Sequence, residues 1–173
     1  MNVEEAIAQR HSVRYYENKQ VSRSKIEELL NSARMAPSAR NKQDWRFVVI
    51  DDKGQKEQIS KIANQQGFVK QASAVIVGMT ADPEYRMPCG VPAGFVDVAI
   101  AMDHLSLRAT EEGLGTCWIG AYDPEETKEL LGIPEEYRVV CMMTLGYPKD
   151  PSRQISKNRK SVNEIISYNH FGN

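Results

Sequence analysis

Four apolar runs, Arg46–Ile50, Ala74–Met79, Thr116–Ala121 and Arg138–Leu145, recur along the chain with amphipathic or turn-rich segments between them. Each is short, and Phe47–Ile50 and Ala74–Met79 are continuously apolar, the pattern of strands buried on both faces. Four buried strands separated by helical stretches restrict the chain to an α/β or α+β arrangement in which helices cover a sheet.

The intervening segments carry helix punctuation. Asn2-Val-Glu-Glu5 fits a capping box and predicts a short helix to about Gln9. Ser22 predicts the start of a second helix, whose apolar positions Ile26, Leu29, Leu30 and Ala33 fall on one face. Pro37 closes it by pushing residue 36 out of the helical region. A third helix is expected over residues 54–66, with Ile59, Ile62 and Ala63 inward. Residues 82–94 hold Pro83, Pro88, Gly90, Pro92 and Gly94 and read as a loop and candidate lid. Phe95–Glu112 reads as a long helix, closed by Gly113, that is apolar on more than one side and therefore central or at a subunit interface. Asp123-Pro-Glu-Glu126 starts a further helix ending near Leu131–Gly132, and Ser161-Val-Asn-Glu164 caps a final short one. Residues 146–160 form a basic loop, and YNHFGN is a tail.

With 173 residues, the expectation is a single domain spanning 1–173. A net charge of −1 excludes a nucleic-acid binder that relies on bulk positive charge. No apolar run approaches the ~18 residues of a membrane span, and MNVEEAIAQR lacks a secretory pattern. Cys89, Cys117 and Cys141 are odd in number and widely spaced, so they make neither a disulfide framework nor a metal-ligand pair. A reduced, cytoplasmic protein with no metal is expected.

Four segments carry candidate chemistry. Arg10-His11-Ser12-Val13-Arg14 places two guanidinium groups, an imidazole and a hydroxyl just past a helix. Such a set suits either a phosphate group or a solvated, salt-bridged surface. Lys157-Asn158-Arg159-Lys160 is a second basic cluster, and two such clusters in a chain of net charge −1 fit one bound anion if the fold brings them together. Ser38–Trp45 contains Asn41 and Gln43, amides that both donate and accept, as the pyrimidine edge of a flavin requires. Trp45 either walls that pocket or belongs to the core. Gly113–Gly120 is no dinucleotide fingerprint; its glycines either let backbone N–H groups approach a ligand ring or serve helix capping and strand entry. No nucleophile–base pair is legible. His104, Cys117 and Cys141 read as core or interface residues, and Cys89 as an exposed thiol without a visible activator.

In order, these segments resemble the nitroreductase family of FMN-dependent NAD(P)H oxidoreductases. RHSVR looks like its phosphate-binding signature, and APSARNKQDWRFVVI like its A-P-S-x-x-N-x-Q-P-W-x-F segment. GLGTCWIGAYD, LGIPEEYRVVCMMTLGYP and KNRKSVNEII are similar to its C-terminal half. The resemblance covers residues 4–171. It implies an α+β fold, a mostly antiparallel sheet wrapped by helices, and a homodimer with two FMN sites built from both subunits. Arg10, Ser12, Arg14, Lys157 and Arg159 would then hold the phosphate, His11 would also contact the cofactor, and Asn41 and Gln43 would reach the ring. Pro37, Ser38 and Ala39 would come from the partner, and Ile119 and Gly120 would place backbone donors near flavin N5. NADH or NADPH would supply electrons for a nitroaromatic, quinone or similar small acceptor, with no catalytic side chain. The resemblance also admits a specialised enzyme that fragments flavin, dehalogenates or oxidises a ring, and a flavin-binding redox sensor without turnover. Asp44 stands where the family usually has Pro, and residues 80–94 leave little room for the helical excursion of larger members.

Overall fold

A computed structural model of the protein describes residues 1–151 and 156–172. Residues 152–155, within the expected basic loop, and residue 173 of the tail lie outside the described residues.

Four strands form one sheet in the order β1-β2-β4-β3, with every neighbouring pair antiparallel. They are β1 Trp45–Ile50, β2 Ala74–Thr80, β3 Gly115–Ile119 and β4 Arg138–Gly146. This is the α+β alternative. β2, apolar up to its last residue Thr80, lies inside the sheet and is buried throughout. β1 is an edge strand, and its central residues are only half-buried, against the expectation of burial on both faces. Continuous apolarity permits an interior position, but pairing order decides it.

Alternating side chains divide the core in two. Ile76, Met143 and Leu145 face α2 (Arg23–Arg34) and α5 (Ala93–Glu111), with Leu29, Met102 and Leu105 fully buried between the layers. Val75, Val77 and Met142 face the other way, toward Ile59 of α3 (Lys53–Ile62) and Val69 of α4 (Gly67–Gln71). Burying one such side chain stabilises the fold by about 1.5–3 kcal/mol relative to leaving it exposed. Trp45 belongs to the α5 side of the core. Gly78 lets α5 close on the sheet, because a Cβ there would stand 2.9 Å from Val98 Cγ1.

The caps behave as their chemistry dictates. Asn2 and Glu5 close the capping box of α1 (Val3–Gln9), Ser22 caps α2, and Asp123 Oδ1 accepts from the Glu125 and Glu126 N–H groups at the start of α6 (Pro124–Leu131). Three expectations need correction. The third helix stops at Ile62, since Asn64 and Gln65 take positive φ (53° and 56°), and the unanticipated α4 follows. α5 starts at Ala93, two residues before the expected Phe95, because Pro92 serves as its N-cap. The closing helix is a single 3-10 turn, Val162–Glu164, which keeps its capping box but has no buried residue to extend it. Among the described residues, no helix is long and apolar enough to cross a membrane.

Candidate functional site

The first basic segment is fixed at the free edge of β3. Arg10 is the C-cap of α1, and its N–H donates to the Ala6 carbonyl. Ser12 bridges Thr116 in parallel fashion, and the Val13 N–H donates to the Thr116 carbonyl at 2.9 Å. Gly115 makes room, since a Cβ there would lie 2.6 Å from Val13 Cγ2. Tyr16 anchors the far end: its buried hydroxyl donates to the Val13 carbonyl at 2.8 Å and lies 2.7 Å from Thr144 Oγ1. Burial pushes the Tyr16 hydroxyl well above the usual phenol range, so it stays a neutral donor.

The second basic segment returns to the same place. Lys157 Nζ donates to the Ile7 carbonyl at 2.6 Å, at the end of α1. Partial burial, then the Arg10 and Arg159 guanidinium groups, push its ammonium below the usual lysine range. The buried Cys117 thiol reports the other members: burial raises its pKa, while Arg14, a hydrogen bond with Ser12, and Arg10 work against that rise. The structure thus brings Arg10, Ser12 and Arg14 into one neighbourhood with Lys157 and Arg159. No ion pair among the described residues includes Arg10, Arg14, Lys157 or Arg159. Like charges gathered without carboxylates are stabilised by an anion. This donor set fits a phosphate. His11 stands beside it with Nδ1 2.9 Å from the Gln9 carbonyl oxygen, and the Arg14 guanidinium lies 5.9 Å from the Phe68 ring centroid.

The second limb is the loop between α2 and β1. Ser38 is extended (φ −140°, ψ 155°), and Ala39–Asn41 form a 3-10 turn. Arg40, Asn41 and Gln43 take positive φ of 53°, 54° and 55°. For a residue with a side chain this conformation costs roughly 1–2 kcal/mol, least for Asn, and it persists where surrounding contacts over-determine it. The contacts are present. The Gln43 N–H donates to Ser38 Oγ at 3.0 Å, and the Ala81 N–H donates to the Asp44 carbonyl at 2.8 Å. The Ala39 N–H lies 3.2 Å from both carboxylate oxygens of Asp97 on α5. Lys42 Nζ lies 2.6 Å from Asp82, 3.2 Å from Asp44 and 4.0 Å from the Tyr85 ring centroid. Asp44, at the family's usual Pro position, therefore joins an ion-pair cluster that ties this loop to residues 82–85. Pro37, Asn41 and Gln43 are exposed, with Ser38 and Ala39 half-buried.

Ile119 is buried at the end of β3, and the following Gly120 is exposed, with open space where a Cβ would sit. The backbone at Gly120, just past β3, is accordingly open to a flat ligand. Ile119 is level with Met142 and, across the sheet, with Val77 and Val48, whereas Trp45 pairs with Thr80 beside Arg138, so the end of β3 stops short of the level at which β1 begins. They also occupy opposite edges, so three strand spacings alone separate them by roughly 14 Å. Within one chain, the basic arm and the amide loop are not brought together.

Cys89 is exposed, whereas Cys117 and Cys141 are buried. Burial pushes the Cys141 thiol up to about 12. Among the described residues, no group of three or more His, Cys, Asp or Glu side chains is arranged to hold a metal ion. Asp97, Lys42, Asp82 and Tyr85 were not singled out by sequence reasoning. The signal for Asp97 was present, as a carboxylate in the apolar stretch Phe95–Ile100.

The chain matches the family model described as "Nitroreductase family" over residues 7–92 and 69–147. It is 38% identical over 146 residues to an Archaeoglobus fulgidus protein provisionally named NADH dehydrogenase/NAD(P)H nitroreductase, covering 82% of each chain. It is 26% identical to the Bacillus subtilis FMN reductase [NAD(P)H], covering 94% of this chain and 73% of that one. The solved structure of a nitroreductase family protein from Clostridium novyi NT superposes with a TM-score of 0.81 at 34% identity, over 89% of each chain. That of an FMN-dependent nitroreductase from Clostridium difficile R20291 does so with a TM-score of 0.82 at 26% identity, over 96% of this chain and 98% of that one.

Proposed function

Because this chain belongs to the nitroreductase family, we propose that it is an FMN-dependent oxidoreductase that takes electrons from NADH or NADPH and passes them to a nitroaromatic, quinone or similar small acceptor. The observation that carries this reading is the convergence of Arg10, Ser12, Lys157 and Arg159 on one spot with no carboxylate paired to them among the described residues.

Arg10, Ser12, Arg14, Lys157 and Arg159 hold the FMN phosphate, with His11 beside them. Arg brings planar forks matched to phosphate oxygens, and Lys157 adds a point charge. Asn41 and Gln43 offer donors and acceptors to the ring edge, and the Ile119–Gly120 backbone offers N–H groups to its centre. Bound there, FMN would supply the two-electron redox chemistry between nicotinamide and acceptor. The protein binds, orients and walls the ring, and no side-chain acid or base is assigned.

We further propose that the working unit is a homodimer of single-domain chains in the cytoplasm, with Pro37, Ser38 and Ala39 of one copy completing the site of the other. The separation of the two limbs across the sheet supports sharing. So do the apolar side chains left in solvent at Val3, Ile7, Phe95, Val96, Val162, Ile165, Tyr168 and Phe171. Exposed apolar surface of this extent marks an interaction site.

The test begins with the purified chain, which should be yellow and release FMN on heating, identified by chromatography. Anaerobic mixing with NADH and with NADPH should bleach the flavin, and a quinone or nitroaromatic should restore it. Release of FAD, or failure to take up any flavin on reconstitution, overturns the reading. Flavin that is retained but not reduced by either nucleotide leaves a binder in place of an enzyme. Sedimentation of the loaded protein as a stable monomer overturns the shared site.

A further inference from the structure

We propose that Asp97 is a positioning residue for the cofactor site: from within the core it holds the Ala39 N–H, and through it the limb Pro37–Gln43 that meets the flavin. This rests on the reading of the site given above.

Asp97 is 5% exposed and sits on α5 between Ala93, Gly94 and Val98, all buried. A carboxylate taken out of water is costly unless hydrogen bonds or opposite charge compensate it. Here the compensation is narrow. Among the described residues, the Ala39 N–H is its one hydrogen-bond donor, 3.2 Å from each oxygen. Lys42 acts on it from a distance in the same sense, and Asp44 in the opposite one; burial dominates and raises its carboxyl pKa. An apolar side chain at this helix position would avoid the desolvation cost, so the carboxylate contributes through its bond to the loop.

That bond differs in kind from the loop's other ties. The contact between Gln43 and Ser38 is internal to the loop. The ion pairs of Lys42 run to Asp82 and Asp44, whose side chains retain 40% and 24% exposure, and such pairs are screened by salt. Asp97 links Ser38–Asn41 to a helix whose inner face is fully buried, across 58 positions of sequence. With Arg40, Asn41 and Gln43 all at positive φ, an anchor from the rigid core sets where the turn sits. Through that contact an interior residue that touches no ligand would bear on binding, since a site is as precise as the groups that support its first contacts.

Fluorescence titration with FMN tests this, together with the visible absorption band of the bound flavin. Asp97→Val removes the acceptor, and Ala39→Pro removes the donor; Ser38 is already extended, as a residue before proline must be. Each should raise the Kd for FMN at least tenfold and shift the flavin band. Asp97→Asn, which keeps an acceptor oxygen, should stay within threefold of wild type. The Asp97→Val/Ala39→Pro double variant should be no more than threefold weaker than the weaker single, because both changes break one bond. If Asp97→Val does not fold, Ala39→Pro, at a half-buried loop position outside the core, carries the test alone. Wild-type affinity and spectrum in Ala39→Pro overturn the proposal, even where Asp97→Val is weak, since the loss then runs through the core. Wild-type protein that takes up no FMN overturns the functional reading itself, a result separate from either.

Discussion

The basic arm at the β3 edge and the amide loop before β1 treat charge in opposite ways. In the arm, partial burial, then the nearby Arg10 and Arg159, push the Lys157 ammonium below its usual range, and none of the three enters an ion pair among the described residues. In the loop, Lys42 is matched to both Asp44 and Asp82, which holds its ammonium above the usual range. The backbone reverses the contrast: the arm runs along the sheet edge with ordinary geometry, whereas the loop carries three non-glycine residues at positive φ. One limb stores unfavourable electrostatics that a ligand relieves. The other stores conformational strain that its neighbours restrain. A cofactor with a charged tail and a flat polar head calls for both.

This contrast can be broken most strongly at the arm. Arg10→Ala and Arg159→Ala should each weaken FMN binding by about 1.5–3 kcal/mol, the range for hydrogen bonds to charged groups. The double variant should fall short of the sum, because both side chains serve one phosphate. Isothermal titration of the four proteins at fixed ionic strength measures it, and additive losses would assign the two arginines to separate ligands.

A smaller effect follows from Lys157. Its ammonium pKa lies below the usual value in the free protein, and a bound phosphate restores it, so binding takes up protons where Lys157 has begun to lose its own. FMN affinity should therefore fall as pH rises through the alkaline range, by no more than about tenfold per pH unit for one proton. Lys157→Met should bind more weakly at neutral pH and lose that alkaline slope. A slope unchanged in the variant would place the titration elsewhere.

The least effect is expected from the loop's strain. Arg40 has an exposed side chain and φ of 53°, where glycine carries no steric penalty. Arg40→Gly should raise stability by at most about 1 kcal/mol, read as a small upward shift in the urea midpoint, because relief of the left-handed cost exceeds the added unfolded-state entropy. A lower midpoint would mean that Arg40 makes a stabilising contact, and that the loop is less strained than its dihedral angles imply.

Much of the architecture was legible because its causes are local. Caps at Asn2, Ser22 and Asp123, the C-terminal Gly113 and Gly132, and the four apolar runs each act through residues within a turn of one another. The break at Asn64–Gln65 escaped because no Gly or Pro marks it and Gln favours a helix; Asn64, a residue suited to left-handed helix ends, was its one local signal. The candidate site was legible as separate segments. Nothing in RHSVR or KNRK states that Lys157 folds back onto the Ile7 carbonyl, and nothing in the apolar run of α5 states that Asp97 reaches Ala39.

By itself, the sequence determined the four strands, most of the helices, their order and the donor inventory, since helix caps, strand apolarity and side-chain chemistry are properties of neighbours along the chain. Tertiary structure decided the strand order that sends β1 to one edge and β3 to the other. It also decided the convergence of Arg10 with Lys157 and Arg159, and the anchoring of a strained loop by a buried carboxylate. These depend on contacts between residues tens to more than a hundred positions apart. Their free energies come from burial and Coulomb interaction in three dimensions, which no local pattern encodes.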